Sequence, residues 1–350
     1  MTDPAPEANS GTDAGNPPAA PHHGLKKALS LSAATAVIGG ATLVPVVIAA
    51  LAGYPQVGTA MILPVVAGLI PSLLVGVRTG LVAAAGLAVA SGVAALVHAD
   101  AVLSALLMAA VALIFGLSCH WGVSKNLLLV PISVGFFICL PPSVTGNIAG
   151  NAAALALVTF LSAAWGCAVG WVIARKVHTP DHTDETWART WSYAITVALL
   201  TGIAAYISVS GRWGQAGAWF ILTLLIVFQP YLADSWRRTW QRAAGTLLGL
   251  AFAYVLHLVI PWQQVLSILG LVLMVVAMNV LMRKTVPYWI YTSILTPAII
   301  LLVTTPSTFT RTEVARLIAT LSGAALAVIA EAVLLPLYRR DARRHGKSRY

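Results

Sequence analysis

Twelve apolar stretches, each about as long as a bilayer is thick, take up most of this chain, and its charges sit in the gaps between them. They fall near 30–51, 57–77, 79–98, 101–119, 126–143 and 149–174, then near 190–209, 216–233, 243–260, 263–282, 286–305 and 314–338. About 20 apolar residues cover the hydrocarbon core, so runs of this kind have lipid as their natural solvent. Composition agrees: 9% of the 350 residues are charged and 59% are hydrophobic, whereas soluble domains carry about 25% charged residues. A backbone in lipid must satisfy its own hydrogen bonds, which a helix does internally. The expected fold is therefore all-α, a polytopic membrane helical bundle of about 12 transmembrane helices. The loops and tails leave no room for a fused ATPase, kinase or receptor domain.

Residues 1–25 are rich in Pro, Ala, Gly and Asn and read as a disordered cytoplasmic tail without the pattern of a cleavable signal peptide. Residues 26–174 form a first six-span half, 175–189 a charged cytoplasmic linker, 190–338 a second half and 339–350 a basic cytoplasmic tail. Of the 21 Lys and Arg, eighteen fall on one side of this map and three (Arg212, Arg311 and Arg316) on the other. The positive-inside rule then places both termini in the cytoplasm of a multi-pass plasma (inner) membrane protein. The net charge of +10 becomes a topology signal and a contact for anionic headgroups, and nucleic acid is not expected as a partner. Cys119, Cys139 and Cys167 all lie in apolar runs and read as small buried hydrophobes.

The halves resemble each other. Arg78 in VGVRTGLVAAAG and Arg242 in TWQRAAGTLLG stand 164 positions apart, as do Pro142-Ser143 and Pro306-Ser307. Pro64 and Pro230 are 166 apart, as are Pro131 and Pro297. Six crossings are an even number, so a tandem copy keeps its orientation. The expectation is two parallel six-helix repeats related by an axis along the membrane normal.

The most informative segment is ADSWRRTWQRAAGTLLGLAFAYVL, residues 233–256. Its Arg242 is placed to snorkel, and Gly245 and Gly249 lie one above the other on a helix face that admits a close neighbour. An ordinary anchored helix would carry the same spacing. The pattern Arg-x-x-Gly-Thr-x-x-Gly, here Arg242, Gly245, Thr246 and Gly249, resembles the FUSC superfamily of fusaric acid resistance and aromatic acid exporter proteins, which includes plant aluminium-activated malate transporters. The resemblance runs over both halves, roughly 26–340, and is degraded in the first, where Leu81-Val82 follows Arg78. It implies an integral membrane transporter that exports aromatic or other organic acids, and a small organic anion as substrate.

Candidate solute contacts come from span eleven, where Tyr288, Tyr291 or Thr292, and Thr296 share a face and Pro297 frees a backbone carbonyl. They read either as a polar, aromatic wall or as interfacial aromatics with hydroxyls bonded to their own helix. Tyr254 and His257 in span nine and Asn279 in span ten extend such a wall, or make single helix–helix hydrogen bonds. Arg316, three residues after Glu313, reads as an ion pair or an anion gate near the outer start of span twelve. Glu331 falls inside span twelve, where a carboxylate costs about 2.5–3.5 kcal/mol unless paired or used. Its expected partner is Arg242 or Arg283, and structural pairing and proton coupling both fit.

No phosphate-binding GxxxxGK[ST], no HExxH and no paired Asp cluster lies in a span, so the chain does not read as an enzyme and no cofactor or metal is expected. His178, Asp181, His182, Asp184 and Glu185 read as a solvated linker. The leading function is a secondary transporter, proton-driven and exporting organic acids. An organic-anion channel ranks second, because no Arg or Lys is expected at mid-span. A membrane scaffold or a permease subunit of a larger complex is the third reading, and a homo-oligomer is compatible with all three.

Overall fold

The computed structural model describes residues 39–40, 43–49, 51–173, 186–228, 232–282, 286–303 and 309–344. Every regular element among them is helical. The first half holds α1 (Pro55–Leu74), α2 (Val77–Val97), α3 (Ala101–Leu117), the one-turn α4 (Ser124–Leu127), α5 (Leu129–Cys139) and α6 (Ile148–Ile173). The second holds α7 (Trp187–Ser210), α8 (Gln215–Val227), α9 (Leu232–Val259), α10 (Gln263–Met282), α11 (Tyr288–Val303) and α12 (Phe309–Arg344). The tail 1–25, most of the first expected span and linker residues 174–185 lie outside the described residues.

Five helical stretches among the described residues are long and apolar enough to cross a membrane: Val77–Val97, Ala101–Trp121, Ile148–Ile173, Trp187–Ser210 and Trp240–Val259. Shorter apolar helices occupy other expected spans: Met61–Leu74, Ser124–Cys139, Gln215–Val227, Gln263–Met274, Tyr288–Leu301 and Val314–Ala330. Large apolar side chains, among them Val82, Ile114, Leu161 and Leu258, are exposed on the outside of the bundle, as lipid-facing surfaces are. The chain is a multi-pass membrane protein.

Several boundaries differ from expectation, and proline accounts for two of them. Span five, helical over Ser124–Cys139, ends earlier than expected because the chain leaves the helix at Leu140 ahead of Pro141 and Pro142. Span eight ends at Val227, with Phe228 extended two residues before Pro230. A proline disfavours helix in the residue before it and cannot donate to the turn behind it. Span nine is longer than expected. α9 starts at Leu232, so the Arg237-Arg238 stretch is helical and not a loop. Likewise α12 starts at Phe309 and runs to Arg344.

Small residues set the packing. α6 lies against both α1 and α2. Added Cβ atoms at Gly68 and Gly166 would strike the Ala163 and Val65 carbonyls, and one at Gly170 would meet the Leu69 carbonyl at 2.9 Å. Val65 beside Gly166 and Leu69 beside Gly170 mean that α1 and α6 run parallel, as the second and sixth crossings must. Ser72 Oγ donates to the Cys167 carbonyl at 2.9 Å across this contact. The halves meet where α3 packs on α7, with Gly116 against Ala194 and Gly202 against Ala105 and Ala109. One buried cluster, including Phe115, Phe137, Tyr193, Trp219 and Phe220, unites both halves. Between α1 and α2 the chain turns at Gly76, whose φ of +134° suits glycine alone.

Candidate functional site

The site grows out of the way α11 and α12 pack on α8 and α9. Gly245 and Gly249 of α9 form a shallow groove, and α11 fills it. A Cβ at Gly245 would strike Thr292 Oγ1 and lie 2.6 Å from the Trp289 carbonyl. At Gly249 it would meet Thr296 Cβ at 2.7 Å and the Ser293 carbonyl at 2.9 Å. That carbonyl is the one Pro297 leaves without its helical donor, four residues on. Glycine is thus needed at both positions for backbone contact, and α9 and α11 run parallel. Thr292 and Thr296 are both buried. Thr292 Oγ1 hydrogen-bonds the Trp289 carbonyl at 3.0 Å, and so is turned into packing.

One turn earlier on α9 stands Arg242, 5% exposed. Its Nη1 donates to Tyr288 Oη at 3.1 Å, and its Nε has no hydrogen-bond partner among the described residues. Tyr291 stacks obliquely on Tyr288, with ring centroids 5.8 Å apart, and also lies within electrostatic range of Arg242. Arg242 comes together at one end of the α9–α11 contact with Tyr288 and Tyr291, to which no sequence spacing links it.

Arg316 joins them from α12. It is 4% exposed, its guanidinium carbon sits 4.0 Å above the Trp219 ring of α8, and its Nη1 lacks a partner among the described residues. It also lies within electrostatic range of Arg242. Trp219 is itself buried, with an indole Nε1 that has no partner among the described residues. Its edge meets Phe136 of α5, ring centroids 5.3 Å apart at 89°. Below it, a Cβ added at Gly323 of α12 would meet Thr223 Cβ at 3.0 Å and the Phe220 carbonyl at 3.1 Å. Arg316 at Trp219 and Gly323 at Thr223 show that α8 and α12 run parallel.

The arrangement gathers two guanidinium groups, a phenol and an indole N–H. Among the described residues no carboxylate pairs with either arginine. Two cations in one buried place repel each other, and a buried ion left uncompensated costs several kcal/mol. The unused Nε, Nη1 and Nε1 donors add further cost. An anion placed beside these groups would relieve that cost.

Other expected residues lie elsewhere. Tyr254 is half exposed and Arg78 is exposed, and neither joins the cluster. Thr246 is buried on α9. Asn279 and Glu331 fall in α10 and α12, with side chains outside the described ones, as is that of Glu313. Arg316 lies two turns into α12, near the start of its apolar stretch Val314–Ala330, and is buried. Nothing in the sequence singles out Trp219 and Phe136. Each sits in an unbroken apolar run, where only the tertiary pairing with Arg316 distinguishes it.

Residues 193–330 match the family model described as fusaric acid resistance protein-like. The second half of the chain is thus similar to that family. The match spans α7 to α12 and so takes in Arg242, Tyr288, Trp219 and Arg316, whereas the first half lies outside it. Neither a curated protein nor a solved structure matches it.

Proposed function

We propose that this fusaric acid resistance-like protein is a secondary transporter of small organic anions, exporting aromatic or other organic acids at the expense of the proton gradient. The observation that carries the reading is the buried pair Arg242 and Arg316, each with an N–H group that has no partner among the described residues. Tyr288 and Trp219 add an amphipathic aromatic lining that suits an aromatic carboxylate. Glu331 is proposed as the proton carrier because a carboxylate in that helix is costly unless used or paired. The distribution of Lys and Arg supports a cytoplasmic side for both termini.

The two parallel six-helix repeats belong to the same reading. In their support, α1 with α6 and α8 with α12 are both parallel pairs with glycine at the contact, and α2 with α6 corresponds to α9 with α12. A channel is the second reading, favoured by buried arginines inside the bundle, which anion channels use to hold permeating charge.

The test is anion flux in proteoliposomes carrying the purified chain. A carrier accumulates benzoate-type acids when a proton gradient is applied, and an uncoupler abolishes the accumulation. Flux that follows voltage and ignores the proton gradient would replace the carrier with the channel. No flux of any organic acid would remove both.

A further inference from the structure

We infer that the open face of α10 is the seat of the first span of this same chain, near residues 30–51, which closes a second seam between the halves. The inference rests on the reading of the chain as two parallel repeats, and deepens it by naming a contact that the repeat requires.

The first span is described over 39–40 and 43–49, and these residues follow the pattern of α7. A Cβ added at Gly58 of α1 would meet Ala49 Cβ at 3.2 Å, and one added at Gly217 of α8 would meet Ser208 Cβ at 2.6 Å. Both members of the second pair stand 159 positions after those of the first. At the same separation, exposed Val44, Val47 and Ile48 match Ile203, Tyr206 and Ile207, which are exposed as well. The end of span one therefore sits on α1 as α7 sits on α8, and turns the same face to lipid.

The other side of α7 is covered by α3. Gly202 and Ala205 are buried, and a Cβ at Gly202 would lie 3.2 Å from Ala109 Cβ and from the Ala105 carbonyl. Their counterparts in span one are Leu43 and Val46. The counterpart of α3 is α10, because Val-Leu-Ser-Ala-Leu at 102–106 recurs as Val-Leu-Ser-Ile-Leu at 265–269, 163 positions later. That register sets Ile268 and Val272 where α3 has Ala105 and Ala109, and both are open, 64% and 51% exposed. Among the described helices, α11 is the one extensive neighbour of α10. Lipid satisfies an apolar face as well as a helix does, so hydrophobicity does not choose the occupant. Symmetry chooses it. A two-fold axis along the membrane normal that carries α3 onto α10 also carries α7 onto the first span, and α3 with α7 is the most extensive contact in the fold.

The test uses the full chain in membranes, with a protease site inserted at position 180 so that the halves separate on cleavage. Leu43→Cys with Val272→Cys should link on oxidation and hold the cleaved halves in one full-length band. Ala109→Cys with Gly202→Cys is the reference across α3 and α7, where the Cβ separation is within disulfide reach. Each single variant reports links to the native cysteines. Val47→Cys with Val272→Cys, from the lipid side of the span, should not link. A Leu43 pair that stays unlinked beside a linked reference would overturn the docking and leave the anion-transport reading intact. Linking through Val47 in place of Leu43 would overturn the docking and the repeat together. Photoreactive benzoylphenylalanine at position 268 gives a readout without introduced cysteines. The expected product joins a first-span peptide to the second half, whereas a phospholipid adduct or a cross-linked pair of chains would overturn span one as the occupant.

Discussion

The two halves of this chain pack with the same means and differ in what they bury. In the first, α1, α2 and α6 meet through Gly68, Gly166 and Gly170, the polar links across their contacts are hydroxyl and thiol groups, and the one arginine described, Arg78, is exposed. In the second, α9 and α11 interlock through Gly245 and Gly249 just as closely, yet Arg242 and Arg316 are sealed inside. Close glycine packing is therefore the general solution for holding this bundle together in lipid, where apolar attraction between helices is absent. Among the described residues, buried arginine belongs to the second half, and points to a task that packing does not explain.

That contrast can be broken. The largest effect is expected from Arg242→Ala or Arg316→Ala, which should lower organic-anion flux in proteoliposomes at least about a hundredfold, the loss usual when one charge of a buried site is removed. Arg78→Ala, on the exposed counterpart, should stay within about twofold, a change worth under 0.5 kcal/mol. Equal losses from all three would erase the distinction between the halves.

Next in size is coupling. Glu331→Gln should fold normally, keep solute exchange between the two sides and lose gradient-driven accumulation by on the order of tenfold, following the loss of its one titratable proton. Measured beside the melting temperature, a stable variant with full proton-driven accumulation would take Glu331 out of the mechanism.

A smaller effect sharpens the shared part of the comparison. Gly166→Val and Gly249→Val put side chains against backbone that cannot retreat, and each should destabilise the fold by about 1–3 kcal/mol, read as a lowered melting temperature. Gly86→Ala, whose Cβ meets nothing within 4 Å, should be neutral within about 0.5 kcal/mol. Topology gives a further check. Cysteines introduced at 54 and 146 should label from outside intact cells, while one at 180 should not. Labelling at 180 would invert the whole map.

Much of the architecture is legible in the residues alone. Apolar length dictates the all-helical membrane class, and the i, i+4 spacing of Gly245 and Gly249 announces a close neighbour, which is α11 with Thr292 and Thr296 at the same spacing. Helix ends are less legible, since Arg237 and Arg238 look like a loop while α9 simply continues through them. The anion site is half visible. Tyr288 and Tyr291 share a helix face that spacing reveals, while no spacing ties Arg242 to them. Arg316 looks like the mouth of a helix, because the start of α12 at Phe309 carries Thr310, Arg311, Thr312 and Glu313 ahead of the apolar face. Trp219 lies in AWFILTLLIV, where nothing local separates a binding tryptophan from a packing one. Which residues meet across α8, α9 and α12 is a tertiary fact, and a single sequence does not encode it in any period.

The central claim is that the second half holds an anion between its two buried arginines, and the most direct measurement is a crystal structure of the full chain with 4-bromophthalate, read by anomalous scattering from bromine. The account predicts a bromine peak inside the second half, with the carboxylates on the Arg242 and Arg316 guanidiniums and beside Trp219 Nε1. Bromine found only at exposed basic residues such as Arg78 and Lys125, with a protein carboxylate such as Glu331 seated between the two arginines, would contradict it.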